Sequence, residues 1–197
     1  MEALIAVVDF VALMGLFTYR RFPHLFAKPV IKDPKIGFLN LLGEEGDQLL
    51  EQDRPALAPL FSTTRESRDL PPPACDVLVV YSDLGYDGNL FATEVGLRYL
   101  LRKSGARILI VASENKGENS IIAAQEAGHS GVNLVLTLGR KDGAFPAFFS
   151  QLFTKMKAGT PMPEAWSQLA PKTPEQERET PGTIFLAEGG PITFGAR

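Results

Sequence analysis

DVLVVYS, residues 76–82, is a continuous apolar run of strand length, typical of a strand buried on both faces of a parallel sheet. Two similar runs follow it, RILIVA at 107–112 and VNLVLTL at 132–138. Between these runs, residues 90–103 and 119–127 carry apolar side chains at helical spacing. This alternation of strand and helix predicts an α/β domain with a largely parallel sheet and right-handed crossovers.

The pattern continues toward the C-terminus. Residues 144–157 place phenylalanines and other apolar side chains on one broad helical face, which indicates a helix that closes over the sheet. A short helix anchored by Trp166 is predicted at 164–169. We interpret residues 171–181 as a charged loop and residues 183–187 as a last strand.

Upstream of the three apolar runs, the pattern is weaker. Residues 35–42 predict a strand, residues 43–52 a short acidic helix and residues 55–61 a further helical turn. Residues 62–73 are polar and end in three consecutive prolines. We interpret them as a surface loop, which at this length is either functional or mobile.

The first part of the chain has a different composition. Residues 3–19 read ALIAVVDFVALMGLFTY, an apolar stretch interrupted by Asp9 and followed by Arg20 and Arg21. A helix that spans a bilayer needs about 20 apolar residues, so a membrane anchor and a helix buried against protein both stay open. A cleaved secretory signal is disfavoured because no basic segment precedes the apolar run.

The predicted organisation therefore has two parts. Residues 1–33 form a hydrophobic helix and a proline-containing connector, and residues 34–197 form the α/β domain. Basic side chains after the helix would hold the domain on the cytoplasmic or matrix-like side of a membrane; the alternative is a soluble cytoplasmic protein. The side chains predicted to contact a membrane or a partner are Leu4, Val8, Val11, Leu16 and Phe17.

Composition argues against several classes of function. The net charge of −3 gives no basic surface for a phosphate backbone, so nucleic acid is not an expected partner. The single cysteine, Cys75, excludes an internal disulfide and is interpreted as structural, and His129 is interpreted as an exposed residue at a helix end. No dinucleotide or P-loop fingerprint is present, so no nucleotide cofactor is predicted. With one cysteine and two histidines the chain is short of metal ligands, so no metal site is predicted.

Polar side chains follow the three apolar runs. Asp83 comes after the first run, Ser113 and Glu114 after the second, and Asp142 after the third. The carboxyl ends of parallel strands meet at one edge of a sheet, so we expect these four residues to lie close together. Two interpretations stay open: capping and turn roles, or a site made of a serine and carboxylates.

Six segments occur in a recognisable order. They are DVLVVYSDLG from Asp76, ILIVASENKG from Ile108, AAQEAGHSGVNLVLTLGRKDG from Ala123, FPAFFSQLFTKMKAG from Phe145, TPMPEAW from Thr160 and PGTIFLAEGG from Pro181. In order and spacing these segments resemble CHAT-type domains of the caspase-like fold. The resemblance covers roughly residues 34–190 and implies a three-layer α/β domain with a largely parallel sheet.

The resemblance also implies a lost activity. In such domains a catalytic His-Gly follows one strand and a catalytic cysteine follows a later one. Here Asp83 or Leu84 precedes Gly85 at the first place, and Ser113 followed by Glu114 occupies the second. A cysteine peptidase needs a thiolate and an imidazole that accepts its proton. The chain is therefore expected to be a pseudoenzyme.

Two hypotheses of function follow. The first is a non-catalytic accessory or scaffold subunit of a larger, membrane-bound or soluble, assembly of protein subunits. The alternative is a small soluble hydrolase or ligand-binding enzyme that uses Ser113 and the nearby carboxylates at the carboxyl edge of the sheet. A concave edge with a buried carboxylate of raised pKa would favour the enzyme, and side chains bonded to neighbouring turns would favour the scaffold.

Overall fold

A sheet of six hydrogen-bonded strands lies at the centre of the molecule. The computed structural model describes residues 29–91, 93–128 and 130–195. Its strands are β1 (Val30–Lys32), β2 (Lys35–Asn40), β3 (Thr63–Ser67), β4 (Val77–Tyr81), β5 (Ile108–Val111), β6 (Asn133–Gly139), β7 (Gly182–Ala187) and β8 (Thr193–Gly195). Its helices are α1 (Glu44–Leu57), α2 (Leu97–Ser104), α3 (Gly117–Ala127), α4 (Ala144–Lys157), α5 (Met162–Leu169) and α6 (Pro174–Arg178), with a 3₁₀ turn at Ala58–Leu60 after α1.

The central sheet has the strand order β3-β2-β4-β5-β6-β7. All neighbouring strands are parallel except β7, which pairs antiparallel with β6 at the edge. The remaining two strands, β1 and β8, form a separate parallel pair. The sheet is therefore mixed but largely parallel, as the alternating apolar runs predict.

Two apolar layers cover the sheet. Side chains alternate along β4, so Val79 and Tyr81 enter one cluster while Leu78 and Val80 enter the other. The first cluster takes its helical residues from α1, α4 and α5, and the second takes them from α2 and α3. Each fully buried side chain of this size contributes about 1.5–3 kcal/mol. The result is a three-layer α/β arrangement.

Most elements of the central part match their predictions. Strands β4, β5 and β6 and helices α3 and α5 fall within a few residues of the predicted ranges, and α4 has the predicted bounds. Gly105 ends α2 in the left-handed conformation, with a φ of 71°. The predicted α/β class with a largely parallel sheet is confirmed.

Other elements differ from the predictions. The surface loop expected at 62–73 contains β3, which pairs in parallel with β2 although nearly all its side chains are exposed. Pairing of its backbone groups, rather than its polar side chains, decides this conformation. The helix expected at 90–103 begins only at Leu97. Before it, two isolated antiparallel bridges join Leu84 to Leu90 and Asn89 to Gly96.

The predicted hydrophobic helix at 3–19, with Leu4, Val8, Val11, Leu16 and Phe17, lies outside the described residues. Residues 30–32 lie in the predicted connector but form β1, where Ile31 is buried in the first apolar cluster. Of the helices within the described ranges, none combines the length and apolar composition that crossing a membrane requires.

Candidate functional site

A cleft of about 300 Å³ opens at the carboxyl edge of the sheet. Helix α1, which follows β2, packs on one face of the sheet, and α2, which follows β4, packs on the opposite face. The two connections therefore diverge at this edge. Crevices at such switch points are where doubly wound sheets bind ligands. One wall of the cleft is α1, and the other residues come from the segments after β4, β5 and β6.

The four polar residues singled out in the sequence all line this cleft. Asp83 follows β4, Ser113 and Glu114 follow β5, and Asp142 follows β6. Asp83, Glu114 and Asp142 are exposed, and Ser113 is buried. The remaining lining residues are Glu45, Leu49, Gln52, Arg140 and Lys141. The topology thus brings the predicted set to one place.

Ser113 lines the cleft, but its hydroxyl is bonded to the backbone of the neighbouring turn. Its hydroxyl accepts the backbone N–H of Ser82 at 3.1 Å and donates to the backbone carbonyl of Ser82 at 2.5 Å. Helix α3 begins after Lys116 with no side-chain cap, so Ser113 does not cap it. The hydroxyl joins the ends of β4 and β5, and its proton is already donated.

Two asparagines, which the sequence analysis did not single out, extend this connection. Asn115 accepts the backbone N–H of Leu84 at 2.6 Å and is buried. Asn119, in the first part of α3, donates to the carbonyl of Leu84 at 2.6 Å. The segment 82–84 is therefore fixed by side chains from the segment after β5. Short polar side chains just after an apolar strand are the only sequence signal for this role.

Below the cleft lies a buried ionic group that the sequence analysis missed. A guanidinium nitrogen of Arg140 donates to the Asp53 carboxylate at 2.6 Å, and both side chains are almost inaccessible to water. The hydroxyl of Tyr81 donates to the other oxygen of Asp53 at 2.9 Å. Arg140 also donates to the carbonyl of Ala112 at 2.7 Å and covers the ring of Phe145 at 4.1 Å. We call Asp53, Tyr81 and Arg140 the buried triad.

A sequence signal for this group exists in α1. Asp53 lies between Leu49 and Leu57, four residues from each, and therefore on the apolar stripe of the helix. A carboxylate on such a stripe must be paired when it is buried. The partner, however, is 87 positions away in the chain, and nothing in the local pattern identifies it.

Burial is the main reason why the pKa values of Asp53 and Tyr81 are shifted. Loss of solvent raises the pKa of the Asp53 carboxyl, and the hydrogen bond and charge of Arg140 and the hydrogen bond of Tyr81 lower it in part. Burial, followed by the charge and hydrogen bond of Asp53, raises the pKa of Tyr81 well above its usual range. Tyr81 therefore stays protonated and serves as a hydrogen-bond donor.

The segment after β6 forms part of the rim of the cleft. Glu114 accepts the backbone N–H of Arg140 at 2.6 Å, which ties the segment to the end of β5. Lys141 and Asp142 follow with φ values of 54° and 49°, the left-handed region that side chains other than glycine rarely adopt. This conformation lets two adjacent side chains line the same cleft.

Other predicted residues lie elsewhere. Cys75 is buried just before β4, at the amino edge of the sheet, and burial and the charge of Asp76 raise the pKa of its thiol to about 12. His129 lies outside the described residues. No cluster of His, Cys, Asp and Glu in the described part of the chain has an arrangement that would hold a metal ion.

Comparisons with protein-family models, with curated proteins and with solved structures find no match to this chain.

Proposed function

We propose that this chain is a non-catalytic accessory or scaffold subunit of a larger protein assembly, built on a degenerate CHAT-like domain. The fold part of the proposal is supported by the three-layer arrangement and the largely parallel sheet, which the resemblance implies. It is supported further by the position of Asp83 and Ser113, which follow β4 and β5 at one edge.

The observation that carries the functional part is the hydroxyl of Ser113. It stands where the family would place its nucleophile, and it donates its proton to the carbonyl of Ser82. A serine nucleophile needs a base within hydrogen-bond reach to take that proton. Asp83, at the place of the family's histidine, is exposed and makes no such bond to Ser113 among the described contacts. The two residues therefore support a structural role.

One observation favours the enzyme as a second candidate. The cleft is lined by Ser113 together with Glu45, Asp83, Glu114 and Asp142, so a serine and four carboxylates surround one space of ligand size. The carboxyl of raised pKa, however, is that of Asp53, which is paired below the cleft and does not line it. The arrangement supplies neither a poised base nor a nucleophile with a free proton.

Membrane attachment through residues 3–19 is part of the first proposal. It rests on the apolar run and on the basic residues Arg20 and Arg21 that follow it. Vesicle flotation of the whole chain, compared with a chain that lacks residues 1–28, tests it directly. Flotation that does not depend on those residues would contradict the anchor and leave the scaffold proposal intact.

Affinity purification of the tagged whole chain from its native cells tests the scaffold proposal. We expect protein partners in fixed stoichiometry that remain bound to the Ser113→Ala variant, because the hydroxyl only joins two turns. Peptide and ester substrates should not be hydrolysed by either form. A monomeric chain whose hydrolysis of such a substrate disappears in Ser113→Ala would overturn the proposal in favour of the enzyme.

A further inference from the structure

Residues 171–180, which join α5 to β7, lie on the surface of the molecule, and we call them the strap. Every residue of the strap from Pro171 to Glu179 is exposed. Its short helix α6 has Thr173 as its N-cap, with the hydroxyl accepting the backbone N–H of Gln176 at 3.3 Å. The strap thus has an internal structure of its own and contributes no side chain to either apolar cluster.

Hydrogen bonds within the strap are local. The backbone N–H of Lys172 donates to the side chain of Gln176, and the hydroxyl of Thr180 donates to the carbonyl of Gln176. Across the described residues, one hydrogen bond joins the strap to the rest of the molecule: the ammonium of Lys141 donates to the backbone carbonyl of Glu177. The strap is therefore attached at its two ends and at this single point between them.

Two cavities border the strap. One, of about 310 Å³, separates it from α4 and the end of α5. The other, of about 240 Å³, has Trp166 and Phe148 in its wall and Glu177 and Thr180 of the strap on its opposite side. Trp166 also stacks on Phe185 of β7 at 4.4 Å between ring centroids. A short polar strap thus covers an aromatic wall from which it is separated by open space.

Lys141 links this region to the carboxyl-edge cleft. Its side chain lines both the cleft and the cavity beneath the strap. Its backbone φ of 54° belongs to the rim segment that Glu114 ties to β5. A group that draws the ammonium of Lys141 into the cleft would have to take it from the strap.

We propose that the strap is a lid over the Trp166 cavity and that Lys141 is its latch. Release of the ammonium from Glu177 lets residues 171–180 move away as a unit, since their other hydrogen bonds are internal. The lid opens without loss of the core because no buried apolar residue belongs to it.

The test compares Lys141→Gln with Lys157→Gln in the whole chain. Both variants remove one exposed positive charge, but Lys157 lies at the end of α4 and has no bond to the strap. Limited trypsin digestion with mass spectrometry follows cleavage after Lys172 and Arg178, the basic residues of the strap. Loss of this exposed hydrogen bond should raise strap cleavage about two- to ten-fold in Lys141→Gln and leave Lys157→Gln at the wild-type rate.

Trp166 is the chain's single tryptophan and gives an independent measurement. Quenching of its fluorescence by acrylamide should increase in Lys141→Gln, because the aromatic wall loses its cover. Lys141→Gly removes the ammonium of the latch without straining the backbone, since glycine accepts the left-handed conformation. It should keep or raise the melting temperature and still show faster strap cleavage.

Lys141→Gln and Lys141→Gly variants with wild-type rates of strap cleavage and wild-type quenching of Trp166 would overturn the proposal. So would cleavage that increases equally throughout the chain, because it would report unfolding rather than the movement of a lid.

Discussion

Arg140 and Asp53 lie 87 positions apart in the chain and form a buried ion pair with 2.6 Å between guanidinium nitrogen and carboxylate oxygen. The pair joins the segment after β6 to α1, and Tyr81 of β4 completes it. It lies directly beneath the candidate cleft. Arg140 belongs both to the pair and to the cleft lining, so the cleft has a rigid base.

Removing one partner of this pair should be costly. We expect Arg140→Met to lower the free energy of unfolding by about 3–5 kcal/mol, because Asp53 would stay buried without its cation. The double variant Asp53→Leu with Arg140→Met should lose much less, since no buried charge remains. Chemical denaturation measures both. Equal losses in the single and double variants would show that shape, and not charge, is what the pair contributes.

The same carboxyl predicts a dependence on pH. The raised pKa of Asp53 means that the folded chain holds this proton more tightly than the unfolded chain. The stability that this protonated carboxyl contributes is fully present below the ordinary pKa of about 3.9. It is lost as pH rises through the pKa of Asp53 in the folded chain. Arg140→Met removes a group that lowers this pKa, so the folded pKa of Asp53 should be higher in the variant than in the wild type. The unfolding free energy of the variant should therefore fall over a wider pH range. The double variant, which lacks the carboxyl, should not show this widened fall in denaturation at pH 4–8.

Replacing Ser113 should affect stability. Ser113→Ala leaves the buried N–H of Ser82 without its partner, whereas the carbonyl of Ser82 keeps the side-chain amide of Asn115 at 3.3 Å. We therefore expect a loss of about 1–3 kcal/mol. Thermal and chemical denaturation are the measurements. Unchanged stability would contradict the connection between β4 and β5 that we describe.

Cys75 should be inert in the folded chain. Its buried thiol, with a pKa raised to about 12, has almost no thiolate at neutral pH, and the thiolate is the reactive form. Iodoacetamide at pH 8 should modify it slowly in buffer and rapidly in denaturant. Rapid modification of the native chain that depends on folding would point instead to an activated thiol.

Two N-terminal truncations should behave differently. A chain without residues 1–28 should still unfold cooperatively, because it keeps every residue of the two apolar clusters in the described part of the chain, which begin at Ile31. A chain without residues 1–32 also loses β1 and the buried Ile31, so it should lose at least about 2 kcal/mol more. Denaturation curves of equal midpoint would show that β1 is dispensable.

The sequence predicts the centre of the fold well because its signals there are local. The aromatic stripe of α4 and the apolar runs of β4, β5 and β6 identify their own structure by periodicity. β3 has no such signal, since its polar side chains point to solvent and only its pairing with β2 makes it a strand.

The same distinction applies to the site. Topology alone places Asp83, Ser113, Glu114 and Asp142 at one edge, and the structure has them around one cleft. The buried triad depends on contacts between α1, β4 and the segment after β6, which no local pattern connects. Likewise, the residues around Ser113 in the sequence suggest a helix cap, whereas in the fold its hydroxyl bonds the backbone of Ser82, which is 31 positions away.

Pairing of β1 with β8 has a consequence for how the domain is made. A ribosome delivers β1 before every other described strand and β8 after all of them, yet the two are each other's hydrogen-bonding partners. Contacts between such distant parts of a chain form slowly because a long loop must close first. The backbone groups of β1 therefore stay without their β8 partner while the central sheet is synthesised. The β1–β8 pair forms only after β8 leaves the ribosome.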